Sequence, residues 1–143
     1  MPDPLFDLDR FVEAQAKDYA TALAELRAGK KLTHWIWYVL PQLRGLGTSS
    51  RATFYGIASA DEARAFLAHP VLGPRLAQCV AAMNALRALT AAQVLGQIDA
   101  AKFRSCLTLF LSVDPQNAVF REALDKYFAG VQDEKTVALL RAS

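Results

Sequence analysis

Thr33-His34-Trp35-Ile36-Trp37-Tyr38-Val39-Leu40-Pro41 is the stretch on which the fold class turns. Its aromatic and β-branched residues suit a strand. A strand needs a neighbour to pair its backbone N–H and C=O groups, and no second strand pattern occurs in the chain. The other solution is a short buried helix over residues 33–39, capped by Thr33. Pro41 then ends it, because the residue before a proline is pushed out of helical geometry. With that segment helical, the chain is predicted to be all-α.

The flanking sequence agrees. Leu8, Phe11, Val12, Ala16, Tyr19, Leu23 and Leu26 recur at threes and fours, drawing an apolar stripe on one helix. Asp7 is placed to cap its start and Gly29 to end it. Ser59 with Glu62, and Thr90 with Gln93, read as capping boxes. Leu72, Leu76, Cys79, Val80, Met83 and Leu86 mark a long central helix entered at Gly73-Pro74. Asp99 begins a helix that buries Phe103, Cys106, Leu107 and Phe110. Another opens at Asp114-Pro115 and stops at Gly130, and a last short one covers residues 134–141. The sum is seven to nine helices in one domain over residues 1–143, with 1–6 a loose lead.

At 143 residues a single core is feasible, since a chain of this size buries roughly 68–70% of its unfolded surface. Sixteen basic and fourteen acidic residues give a net charge of +2. They are evenly spread, so neither a basic arm nor an acidic tail is present and no nucleic-acid partner is expected. The start is acidic and proline-broken, unlike a secretory signal. No apolar run approaches the ~20 residues that span a bilayer, so no membrane partner is expected either. Cys79 and Cys106 fall inside apolar helical patterns and read as reduced core thiols in a cytoplasmic protein. The two histidines and two cysteines lack ligand spacing, so no metal or cofactor is expected.

Both tryptophans and one histidine crowd into residues 34–37. Trp37 and Tyr38 fit aromatic packing. His34, at a predicted helix start, reads either as a packing residue or as an accessible general base. His69, before Pro70, reads as a helix-terminating surface residue. Arg44-Gly45-Leu46-Gly47-Thr48-Ser49-Ser50-Arg51 reads as an ordinary helix-to-helix loop or as an anion site at a helix start. Lys102, Ser105 and Thr108 share a helix side away from Phe103, Leu107 and Phe110, which spacing alone makes a solvated face.

These residues also carry a family resemblance. Phe11-x-x-Ala14-Gln15-x-x-x-Tyr19, Thr33-His34-Trp35-x-Trp37 with Pro41-Gln42-Leu43-Arg44-Gly45-Leu46-Gly47, Tyr55-Gly56-Ile57, His69-Pro70-Val71-Leu72-Gly73-Pro74-Arg75-Leu76 and Asp99-x-x-Lys102 follow in order. Together they resemble the bacterial domain of unknown function 1810. The resemblance implies a compact helical domain without an assigned activity. The calpastatin-like label attached to some members does not suit a chain that is 53% hydrophobic.

The resemblance also raises the weight of the polar motif positions. The first functional expectation is a binding domain, or a hydrolase or N-glycosidase, for a small anionic or nucleotide-like ligand. His34, Asp99 and Lys102 are its candidate catalytic residues, and His34 with Asp99 would handle protons. Trp35 would stack on a ring, Arg44 and Arg75 would hold a phosphate or carboxylate, and Gln15, Tyr19, Gln42 and Ser105 would complete the site. The second expectation is a non-catalytic interaction module that docks through its aromatic segment. Under either expectation the protein is a monomer or a homodimer.

Overall fold

The computed structural model describes residues 6–142. Among them lie nine helices: α1 (Asp9–Ala28), α2 (Ile36–Val39), α3 (Ser50–Tyr55), α4 (Ala60–Ala68), α5 (Leu72–Ala85), α6 (Ala91–Leu95), α7 (Gln97–Val113), α8 (Ala118–Phe128) and α9 (Glu134–Ala142). No strand occurs among the described residues, and the nearest approach to one is a single parallel bridge between Leu43 and Ile57. The protein is all-α. No helix among the described residues is long and apolar enough to cross a membrane.

Two long helices organise the packing. α5 lies against α1, α4 and α8, and α7 lies against α4, α6, α8 and α9. Phe103, Cys106, Leu107 and Phe110 of α7 are all buried, as their spacing predicts. Phe66, Phe110 and Phe120 continue the core as tilted rings with centroids 5.4 and 6.2 Å apart. Cys79 and Cys106 are buried free thiols. Burial pushes the Cys79 thiol up to about 12 and raises that of Cys106 as well.

Several local expectations need correction. Residues 1–5 of the predicted lead lie outside the described residues, while Phe6 packs against the core. The α1 stripe turns inward at Gln15, which is buried, and leaves Ala16 exposed. Leu8, not Asp7, stands at the N-cap, and no side chain caps the helix. Gly29 does end it, at φ 78°, with its N–H donating to Leu26 and that of Lys30 to Glu25. Thr33 does not cap α2, because its hydroxyl is drawn to Glu25 instead. The Thr90–Gln93 capping box is complete. Ser59 caps α4, but the Glu62 carboxylate turns to the Ala58 N–H and to Arg10. α8 begins at Asn117, which caps it, rather than at Asp114-Pro115.

The expected solvated side of α7 is buried too. Ser105 and Thr108 are enclosed, since α7 has neighbours all round, and each hydroxyl donates to the carbonyl four residues back (Ala101 at 3.1 Å, Arg104 at 2.8 Å). A helix hydroxyl can be buried this way because the i−4 carbonyl meets its polar demand.

Candidate functional site

The connection leaving α1 is held by one carboxylate. Glu25 accepts the N–H of Leu32 (2.9 Å), the N–H of Thr33 (3.1 Å), the Thr33 hydroxyl (2.8 Å) and the Trp35 indole N–H (2.9 Å). Burial pushes this carboxyl up, but the four donors outweigh it and hold it at about 2. Trp35 is thereby locked inside at 1% exposure, with the Lys31 ammonium 5.0 Å from its ring. The stacking role expected of Trp35 has no surface to act on.

The neighbouring indole does. Trp37, expected in the core, is half-buried where α2 meets α3 and α7. The Lys102 ammonium and the Arg51 guanidinium each lie 5.0 Å from its ring centroid. A cavity of about 10 Å3 opens beside it, lined by Gln42, Tyr55 and Lys102 among others, which is about one water's worth of room. Asp99, in the first turn of α7, pairs with Lys31 at 2.9 Å and with Lys102 at 3.8 Å. Gln42 is fixed by its backbone: its carbonyl accepts the Ile57 N–H at 2.9 Å, and Ile57 in turn accepts from Arg44 at 2.8 Å. That close approach requires glycine at position 56, where a Cβ would sit 2.7 Å from the Arg44 Cα.

Other predicted site residues lie elsewhere. Gln15, 2% exposed, donates to the Tyr38 carbonyl at 2.7 Å and accepts from Arg75 at 3.4 Å. Arg75 lies 4.6 Å from the Tyr19 ring, and the Tyr19 hydroxyl donates to the Gln78 side chain. Burial pushes that hydroxyl up to about 12, helped by Cys79 beside it. These three residues therefore form a separate cluster between α1 and α5. Arg44 turns outward to donate to the Thr53 carbonyl at 2.9 Å. Ser105 is internal. His34 is exposed, its ring makes no hydrogen bond among the described residues, and it lines an open hollow shared with Arg51 and Tyr55. The structure thus joins Asp99, Lys102 and Gln42, sets His34 next door, and separates the rest.

The chain matches the family described as Protein of unknown function (DUF1810) over residues 5–140. It belongs to that family. Among solved structures it is similar to the conserved hypothetical protein Rv1873 from Mycobacterium tuberculosis, with 47% identity, 99% of this chain and 100% of that chain covered, and a TM-score of 0.95. No curated protein matches.

Within this DUF1810 chain, reasoning from the residues misses three site features. Sequence pattern assigns Trp37 to packing, because its apolar neighbours in the chain hide the cations that α3 and α7 bring. Arg51 stands out in sequence only as a flank of the glycine loop, not as a partner of an indole. Lys31 gives no signal, since its ion pair reaches across to α7. His69 does more than terminate a helix at the surface. Its Nδ1 accepts the N–H groups of Val71 (3.1 Å) and Leu72 (3.3 Å) at the start of α5. No group of residues that could hold a metal ion occurs among the described residues.

Proposed function

We propose that this domain binds a small anionic ligand carrying a flat ring, with the ring against Trp37 and the negative charge met by Lys102 and Arg51. The observation that supports the reading is the convergence of two cations on one half-buried indole. Around Trp37 the indole N–H, the Gln42 amide and the Arg51 guanidinium meet no acceptor among the described residues, and Lys102 has Asp99 at 3.8 Å. Donors that converge without acceptors fit an oxygen-rich ligand.

The finer reading is hydrolysis of an N-glycosidic bond. The bond from sugar carbon to ring nitrogen would break, a water oxygen would join the carbon, and a proton would pass to the departing nitrogen. A carboxylate in the place of Asp99 would oppose the positive charge that grows on the sugar carbon. The docking alternative moves away from the aromatic segment, which is mostly buried, to Leu32 (68% exposed) and Ile98 (75% exposed), adjacent in sequence to the Lys31–Asp99 pair.

Titration with nucleotides and sugar phosphates, read by melting temperature and indole emission, tests the binding reading. A ligand at a hundred times its dissociation constant should stabilise the protein by about 2.7 kcal/mol. Lys102→Ala should weaken binding about tenfold while the unliganded melting temperature stays nearly constant. Trp37→Phe should remove the emission change. A panel without any shift, or a shift that survives both substitutions, refutes the reading.

A further inference from the structure

The Trp37 reading needs the Lys102 ammonium free for a ligand, yet a carboxylate stands one turn away on the same helix. Asp99 and Lys102 are three residues apart on α7, a spacing at which opposite charges can close into a pair. They do not close. One Asp99 oxygen is 3.8 Å from the Lys102 nitrogen, beyond hydrogen-bond range, and Lys102 makes no hydrogen bond among the described residues. The other oxygen lies 2.9 Å from the Lys31 ammonium.

Lys31 is fixed where it can hold that carboxylate. Its side chain is only 6% exposed, and its nitrogen donates to the Thr33 carbonyl at 2.6 Å and lies 5.0 Å from the Trp35 ring. Its backbone N–H donates to the Val94 carbonyl at 2.8 Å, which ties it to α6 just ahead of α7. Glu25 fixes the residues that follow by accepting from Leu32 and Thr33. An ammonium so nearly enclosed needs an opposite charge beside it. Asp99 is therefore drawn to Lys31 rather than to Lys102, whose side chain is 22% exposed. At 2.9 Å the contact is a charge-assisted hydrogen bond, whereas at 3.8 Å only the Coulomb attraction remains.

We propose that Lys31 is the positioning residue of the Trp37 site: by holding the Asp99 carboxylate it leaves the Lys102 ammonium free to meet an anion beside the indole. Without Lys31 the carboxylate would turn to Lys102, its neighbour by helical spacing, and cancel charge that the ligand needs. This rests on the Trp37 reading and adds the residue that keeps that site positive.

Iodide, a small anion that quenches indole emission, tests the proposal on the full chain without any ligand. Trp35 is 1% exposed, so iodide reports on Trp37. Neutral acrylamide corrects for exposure, and potassium chloride holds the ionic strength constant. Lys31→Gln, whose amide can still donate to the Thr33 carbonyl, should lower the ratio of iodide to acrylamide quenching about threefold. In an Asp99→Asn background the same substitution should change the ratio by less than about 1.5-fold, because no carboxylate is left to turn. Equal falls in both backgrounds would mean that Lys31 acts only through its own charge, and would overturn the inference. Asp99→Asn alone should raise the ratio by less than about 1.5-fold. A rise of several-fold would show that Asp99 already masks Lys102, and that result decides the matter even if Lys31→Gln does not fold. Binding is read separately: Lys31→Gln should weaken any nucleotide or sugar phosphate that the parent binds by about tenfold. Parent-like binding in that variant strikes the inference and leaves the Trp37 reading standing. If no compound binds the parent, the Trp37 reading falls, while iodide still decides whether Lys31 frees Lys102.

Discussion

Trp35 and Trp37 are the same side chain placed two residues apart, and their surroundings could hardly differ more. Trp35 is 1% exposed, with its N–H on the Glu25 carboxylate at 2.9 Å. Trp37 is half-buried, its N–H finds no acceptor among the described residues, and cations from α3 and α7 stand 5.0 Å from its ring. Indole identity decides neither outcome. What decides is the polar group that another helix delivers: a carboxylate from α1 completes Trp35 and closes it, while the ammonium and guanidinium groups beside Trp37 offer its N–H no acceptor.

The largest effect that sharpens this contrast is on stability. Trp35→Ala should cost about 3–5 kcal/mol, measured by urea unfolding, whereas Trp37→Phe should cost under about 1 kcal/mol. Equal losses at the two positions would break the comparison.

Acid should act on the Trp35 side. The Glu25 carboxyl is about 2 in the folded chain against an ordinary 4.5. Its contribution is therefore present above pH 4.5 and disappears as the pH falls through 4.5 toward 2, on the order of 2–3 kcal/mol in all. The stability gap between the parent chain and Glu25→Gln should narrow across that window. A gap constant from pH 7 to pH 3 would mean that the carboxylate charge is irrelevant to the lock.

A smaller effect separates the two sides by charge. Lys102→Ala should change unliganded stability by less than about 1 kcal/mol, because a partly exposed ion pair at 3.8 Å and one cation–π contact at 5.0 Å contribute little. The smallest effect is spectroscopic: in Trp37→Phe, the remaining Trp35 emission should be shifted to the blue and shielded from acrylamide. Ready quenching would place Trp35 at the surface.

Much of the fold is legible because helical spacing is a local property. Gly29, Thr90 with Gln93, and the buried face of Phe103, Cys106, Leu107 and Phe110 need only neighbours three or four residues away. The site is less legible because it depends on groups that meet across the chain. Glu25 and Gln15 look like solvent-facing residues of a surface helix until Trp35 and the Tyr38 carbonyl arrive. Ser105 and Thr108 look exposed until α6, α8 and α9 close around α7. Asp99 and Lys102 stand out through their motif, but their partners Lys31 and Trp37 come from the other end of the sequence, where no spacing rule reaches.

The Glu25 lock spans 10 residues to Trp35, and the buried Arg10–Glu62 pair spans 52. Closing the longer loop costs about 1.5 kcal/mol more chain entropy. The two devices are therefore expected to form at different stages of folding. The short loop that ends at Trp35 is expected to settle against α1 early, and the pair that ties α1 to α4 afterwards. Substitutions at Glu25 should slow refolding, while substitutions at Glu62 should mainly hasten unfolding.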